Sequence, residues 1–282
     1  MKKVFILALT LAVTLVLAKT SKPGQPKLEQ ASIIYSVGAE RVIQATNEKA
    51  IISIASMTKL VTVLTVLESG QSLDDVVTVK GKEKSPRINT GLAMKRYDLV
   101  ELAMVSSDNL AARSLIEHYP GGYQAGIDAM NTLAQKLGAK NTTLVEPTGL
   151  LAANKSTVED IVRITRASAT YPMFARFANQ KQAEVQVERV GRARRVLQWV
   201  IGRTTNPFFN EVKPFEIQTF KTGFTSAAGW CLTMLVTYNN QQYVVVTAGN
   251  PTKQARKMQA DQLIEQITNQ QYRLNIVDND KP

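Results

Sequence analysis

The chain has 282 residues, 44% of them hydrophobic, and a formal net charge of +11. Such a length and apolar content fill a large core, in one lobed domain or in two domains. The positive balance admits a polyanionic partner: nucleic acid, an anionic membrane surface or a wall carrying carboxylates. A single cysteine, Cys231, excludes an internal disulfide, and a single histidine, His118, excludes a multi-histidine metal site and weakens any Ser-His-Asp proposal.

Lys2 and Lys3 precede an apolar run from Val4 to Ala18, and Val16-Leu17-Ala18 offers a cleavage site before polar residues. This pattern predicts a secretory signal peptide over residues 1–18. The run is shorter than the ~20 residues that span a bilayer. Residues 19–30 are polar, contain Pro23 and Gly24, and read as a linker. Residues 31–35 and 41–45 are predicted strands joined through Gly38. Residues 51–54 lead to Ser56, which is followed by Leu60, Val61, Val63, Leu64, Val66 and Leu67. Apolar residues on nearly every face predict a buried helix, opening at Ser56 and stopping near Gly70. A short strand over 74–79 and a loop over 81–90 with Lys82, Lys84 and Arg87 come next.

Residues 97–117 have helical periodicity interrupted by Ser106-Ser107-Asp108-Asn109, whose side chains compete for backbone hydrogen bonds and predict a break. Pro120-Gly121-Gly122 is a turn, 123–137 a helix, and Gly138 suits its left-handed C-terminal position. Ser156 with Glu159 fits a capping box that opens a helix through Ser168. Residues 188–195 hold Arg189, Arg192, Arg194 and Arg195 without interleaved aromatics, which gives little support to a single-strand nucleic-acid platform. A strand over 215–220, with Lys221-Thr222-Gly223 after it, precedes a hairpin of 230–238 and 242–248 about Asn239-Asn240. A last amphipathic helix over 252–267 and a polar tail over 269–282 end the chain, and a folded domain over 31–268 results. Cys231 reads as a buried strand residue, since buried cysteine behaves as a small hydrophobe, and His118 as structural.

Ser56-x-x-Lys59 places a hydroxyl and an amine three residues apart on one helical face, beside free backbone N–H groups of the first turn. These are the parts of an acyl-transfer site. Taken alone the pair is better read as a Ser cap and a surface lysine, but Ser107-Asp108-Asn109 and Lys221-Thr222-Gly223 follow it in a fixed order that penicillin-binding proteins and class A β-lactamases share. The chain resembles the low-molecular-mass penicillin-binding proteins, the serine D-alanyl-D-alanine peptidases. Residues 118–123 (His-Tyr-Pro-Gly-Gly-Tyr), 145–150 (Val-Glu-Pro-Thr-Gly-Leu) and Lys221-Thr222-Gly223-Phe224-Thr225 with Ala228-Gly229 look like the endopeptidase branch, penicillin-binding protein seven. The likeness covers roughly residues 34–249.

The resemblance implies an α/β (α+β) fold, an antiparallel sheet covered by helices plus an all-helical lobe, with the active site in the cleft between. It implies Ser56 as nucleophile, Lys59 as general base and Ser107 as proton relay to the departing amine. Burial and the neighbouring charge of Lys221 are expected to keep Lys59 neutral. Asn109 would bind the acyl-side amide and hold Lys59. Lys221 and Thr222 would bind a terminal carboxylate, and the backbone N–H groups of Ser56 and, past Gly223, of Phe224 would form the oxyanion hole. Arg203 lies about where the family has an arginine, although residues 204–211 differ in length. No metal or organic cofactor is needed.

The expected substrates are peptidoglycan stem peptides and cross-links, cut as a D-Ala-D-Ala carboxypeptidase or a D-Ala–diaminopimelate endopeptidase. β-Lactams would be covalent inhibitors. The expected location is the periplasm, peripheral to wall or membrane, with no nucleic acid bound. A β-lactamase is the first alternative, disfavoured because the Glu-x-x-x-Asn loop of class A enzymes has Leu150 four residues after Glu146, so that residues 146–149 read as a structural turn. A non-catalytic wall-binding or β-lactam-sensing protein is the second, and it leaves three intact motifs unexplained.

Overall fold

The computed structural model describes residues 28–190 and 195–279. The predicted signal peptide, most of the predicted linker, and Arg192 and Arg194 lie outside the described residues. In chain order, β1 (Ala31–Ser36) and β2 (Arg41–Thr46) form a hairpin, and β3 (Ile52–Ser53) leads through a 3-10 turn over Ala55–Met57 into α1 (Thr58–Glu68). Then come β4 (Val76–Thr78), β5 (Ala93–Lys95), α2 (Arg96–Val105), α3 (Asn109–Glu117) and α4 (Gly122–Lys136). They are followed by β6 (Lys155–Ser156), α5 (Val158–Ala167), a 3-10 turn over Ser168–Thr170 and α6 (Met173–Asn179). The chain continues with β7 (Gln182–Val190), β8 (Arg195–Arg203), β9 (Glu216–Thr225), β10 (Gly229–Tyr238), β11 (Gln241–Asn250) and α7 (Lys253–Asn279).

The main sheet is antiparallel with strand order β2-β1-β11-β10-β9. Its middle strands are apolar on both faces, and the two-residue period of a strand divides them between two cores. Cys231, Leu235, Val244, Val246 and Ala248 face the helical side with Ile161 and Ile164 of α5. Leu232, Met234, Val236, Val245 and Tyr243 face the opposite way, against Ala260, Leu263, Ile264 and Ile267 of α7. The β10–β11 turn at Asn239 and Asn240 has φ of 46° and 60°, the positive pair that a two-residue hairpin loop needs.

The second lobe is built on α1, whose residues from Thr58 to Val66 are all buried. Helices α2, α3, α4 and α5 pack round it. The break in the 97–117 stretch falls at Ser106–Asp108, where Asp108 caps α3 by accepting from the Ala111 N–H. Gly138 takes φ of +80° after α4. This is the predicted arrangement of sheet, helical lobe and intervening cleft.

Several local expectations change. Ser56 sits in the 3-10 turn and not in the α-helix, because Ala55 has φ of +45° and the regular helix begins only at Thr58. The cap of α5 is Thr157, which accepts from Asp160 N–H; the Ser156 hydroxyl is engaged with Thr142 instead. Lys221-Thr222-Gly223 lies within β9, since the ladder to β10 runs to Thr225. The last helix continues past residue 267, to Asn279. Arg189 and Arg195 lie in the paired strands β7 and β8 of the smaller sheet β4-β5-β7-β8, two strands that the sequence pattern did not predict.

Candidate active site

The 3-10 turn carrying Ser56 is pinched between two close backbone approaches. A Cβ on Gly223 of β9 would lie 2.9 Å from the Ser56 nitrogen, so only glycine lets the strand run beside the turn. A Cβ on Gly149 would lie 1.9 Å from the Ala55 oxygen, and Gly149 also has φ of +81°. The loop 145–151 and strand β9 thus clamp Ser56 from two sides. Two residues here, Ala55 and Ser107, hold left-handed conformations, with φ of 45° and 58°. Each such conformation costs on the order of 1–3 kcal/mol and persists only where surrounding structure dictates it.

The helical turn from Ser56 to Lys59 brings the Lys59 Nζ to 2.9 Å from Ser56 Oγ. Lys59 is fully buried, and its nitrogen also reaches Asn109 Oδ1 at 2.8 Å and the Thr148 carbonyl at 2.6 Å. Three oxygens satisfy the three donors of an ammonium. A neutral amine has two N–H donors and one lone pair. With Asn109 and Thr148 offering only acceptors, the lone pair is left for Ser56, whose O–H donates to it. The lone pair of a neutral Lys59 therefore faces the Ser56 hydroxyl. Burial lowers the Lys59 pKa to about 7, against the opposing pull of Glu146 and Asp108. The principal cause is removal from water, the first of the two causes expected from the sequence; the Lys221 charge, the second, is not among those that shift Lys59.

Lys221 is also fully buried. Its Nζ donates to Ser107 Oγ and to the Thr222 carbonyl, both at 2.8 Å. Burial pushes its pKa well below the ordinary lysine value, and the charges of Lys59 and Arg256 push it the same way. An arriving carboxylate would reverse that by favouring the ammonium. Ser107, at the left-handed break between α2 and α3, is thereby tied to β9. Asp108 anchors the break from behind, accepting from Ser85 Oγ at 2.5 Å and Arg87 Nη1 at 3.4 Å. Arg87 is thus part of the site's support and not only a solvated loop residue. Phe224 is half exposed at the end of the Lys221–Gly223 run and stacks on Trp230, with ring centroids 4.2 Å apart.

The fold brings together Ser56, Lys59, Ser107, Asn109, Lys221, Thr222, Gly223 and the Phe224 backbone. Arg203, at the end of β8, is exposed and has no shared contact with them among the hydrogen bonds and ion pairs of the described residues. The sequence reading passed over Thr148 and its support. Glu146 is buried, and its carboxylate accepts from Thr148 N–H and O–H, from the Gly149 and Leu151 N–H groups and from Asn154 Nδ2. Asn154, fully buried, also donates to Thr58 Oγ1 and the Glu146 carbonyl. The turn read as structural is structural, but it fixes the Thr148 carbonyl on Lys59. Cys231 is buried, and burial raises its thiol pKa to about 11. His118 ends α3, with its Nε2 2.7 Å from the Thr78 carbonyl.

A family model described as D-alanyl-D-alanine carboxypeptidase matches residues 19–252. A D-alanyl-D-alanine endopeptidase of Pseudomonas aeruginosa is 38% identical over 229 residues, 78% of this chain and 71% of the relative. One from Escherichia coli is 36% identical over 257 residues, 86% of this chain and 80% of the relative. Among solved structures, penicillin-binding protein D2 of Listeria monocytogenes in its cefotaxime-bound form superposes with a TM-score of 0.71 at 21% identity, covering 86% of this chain and 98% of that one. A D-alanyl-D-alanine carboxypeptidase of Francisella tularensis gives a TM-score of 0.72 at 18% identity, covering 87% and 71%. At those identities the two structures speak for the fold alone.

Proposed function

The chain belongs to the D-alanyl-D-alanine carboxypeptidase family of serine peptidases, and we propose that its own reaction is DD-endopeptidase cleavage of D-Ala–diaminopimelate cross-links in peptidoglycan. The observation that carries the mechanism is the buried amine of Lys59, within 2.6–2.9 Å of Ser56, Asn109 and Thr148. Ser56 gives its proton to Lys59, and Oγ attacks the D-alanyl carbonyl. The oxyanion is received by the Ser56 and Phe224 amides. The proton passes from Lys59 through Ser107 to the departing amine as the peptide bond breaks. Lys221 and Thr222 hold the carboxylate of the departing residue, and Asn109 holds the acyl-side amide. Water then hydrolyses the Ser56 ester.

Two curated relatives at 36–38% identity are named endopeptidases, which favours that specificity; others at 23–26% identity are named carboxypeptidases, which keeps D-Ala-D-Ala trimming as the second reading. The β-lactamase alternative loses ground at Glu146, whose oxygens are taken up by five donors and hold no position for a deacylating water. The deciding experiment is digestion of purified cross-linked muropeptides with product masses read out. The expected products are the two monomers. Loss of only a terminal D-alanine from uncross-linked pentapeptide would establish the second reading instead, and an unchanged digest would reject both.

The reaction belongs outside the cytoplasm, and the pattern of residues 1–18 supports export with cleavage after Ala18. N-terminal sequencing of the exported protein is expected to begin at Lys19, and a retained Met1 or Lys2 would mean an anchor.

A further inference from the structure

We propose that the outer edge of β8 is a self-association surface, on which a second copy of this chain pairs its own β8 antiparallel about a two-fold axis. β8 is the last strand of the sheet β4-β5-β7-β8, and no strand lies beyond it among the described residues. The Thr204 N–H donates to the Lys181 carbonyl at 2.9 Å, in the same register that pairs β8 with β7. Opposed residues of an antiparallel ladder alternate between hydrogen-bonded and non-hydrogen-bonded pairs. The N–H and C=O groups of Leu197, Trp199, Ile201 and Arg203 therefore point away from β7, to the open edge.

The same residues lay an apolar stripe along one face. Leu197, Trp199 and Ile201 keep 63%, 65% and 52% of their surface in solvent. The root of the strand is firmly held. Val200 is buried, a Cβ on Gly202 would lie 2.6 Å from Ser106 Oγ, and the Thr205 N–H donates to the Val105 carbonyl at 3.1 Å. Folded proteins blunt an open edge with a proline, a bulge or a central charge. β8 has none of these. Its nine pairs with β7 run without a register shift, and its outward side chains between Arg195 and Arg203 are all apolar. A regular apolar edge of this length is a template for another strand.

The charges on that face choose the occupant. Beside the stripe, on β7, Glu184 lies opposite Ile201 and Glu188 opposite Leu197. An anionic lipid surface or an acidic peptide would meet those carboxylates. A second copy answers them. When Trp199 of each copy faces Ile201 of the other, Leu197 faces Arg203. Each Arg203 then enters the row that ends in Glu188 of the other copy, two strand spacings or roughly 10 Å away between backbones. Arg203 has no ion pair of its own among the described residues. This register also makes two aromatic–β-branched pairs, a favoured cross-strand combination. Sliding the copies until the two Trp199 side chains meet would instead set Arg203 against Arg195. The contact is isologous, so each pair occurs twice.

The test is sedimentation velocity of the purified protein at concentrations on the order of 100 μM, because a single pair of edges makes a small interface. The wild type is expected to dimerise. Ile201→Lys puts an ammonium on each edge and should weaken association by about tenfold or more. Its melting curve and its rate of labelling by penicillin should match the wild type. The register is read by disulfide formation on mild oxidation. A mixture of Trp199→Cys and Ile201→Cys should cross-link, since directly opposed residues lie within disulfide reach, and each variant alone should cross-link far less; the native Cys231 is buried. A wild type that stays monomeric, an Ile201→Lys variant that dimerises as the wild type does, or Trp199→Cys alone cross-linking as well as the mixture would overturn the pairing. A wild type that sediments with phosphatidylglycerol vesicles but forms no dimer would overturn it in favour of a membrane contact.

Discussion

Ser56→Ala is expected to abolish covalent labelling of the protein by a fluorescent penicillin and to lower peptidase turnover by a factor on the order of a million, the scale on which a serine peptidase loses activity without its nucleophile. The substitution removes one oxygen that contacts Lys59 at 2.9 Å and the Thr148 carbonyl at 3.3 Å, and Lys59 keeps its two other partners. The fold should therefore survive, and a melting curve close to wild type is the control. Labelling of the variant at the wild-type level would place the acylated residue elsewhere and remove the basis of the mechanism. On the wild type, a chase with unlabelled penicillin should show an adduct lasting minutes or longer. Rapid deacylation needs a carboxylate with a free oxygen facing the ester and a polar residue to hold water. Glu146 has neither oxygen free, and position 150 is leucine. Release within a second would restore the β-lactamase reading.

The lobes and the cleft were legible in the sequence because their elements carry strong local signals. The 58–66 stretch is apolar on every face, Asn239-Asn240 takes the conformation its turn requires, and the small polar residues at 106–109 break a helix wherever they occur. The motif residues were legible because a fixed order of three short patterns narrows the chemistry. What escaped was set by distance in the chain. The 3-10 turn at Ser56 follows from Ala55 being pressed by Gly149 and Gly223, 94 and 168 residues further on. The Thr148 carbonyl on Lys59 depends on a buried carboxylate and amide, Glu146 and Asn154, that no periodicity advertises. The β7–β8 hairpin was hidden because β8 carries Leu197, Trp199 and Ile201 on its exposed face, so apolar character does not mark the inward side; among the described side chains Ala183, Val185, Val187 and Val200 are the buried ones.

The two lysines should separate in their response to pH. Burial places the Lys59 pKa at about 7. The base must be unprotonated, so acylation should rise with pH as Lys59 loses its proton and fall as pH drops below about 7. Lys59→Arg keeps a cation but supplies no base, because a guanidinium stays protonated. Acylation should fall ~100-fold to 10,000-fold, the usual range for a lost general base, and the acid limb at 7 should disappear. The larger side chain enters a fully buried position, so Lys59→Ala serves as a second variant, with the same loss expected. Lys221→Ala removes the Nζ that Ser107 and the Thr222 carbonyl share, and with it the proposed seat for the substrate carboxylate. Its main effect is therefore weaker binding. Removing a nearby amine, and admitting water in its place, can only favour protonated Lys59, so any movement of the acid limb is to higher pH. Lys221→Arg keeps the charge and should retain part of the binding, although a planar fork replaces a compact ammonium. The measurement is the acylation rate against pH for the wild type and these variants. A Lys59→Arg enzyme that acylates at the wild-type rate would show that Lys59 is not the base, and an acid limb that moves to lower pH in Lys221→Ala would show that the coupling between the two amines has been assigned the wrong sign.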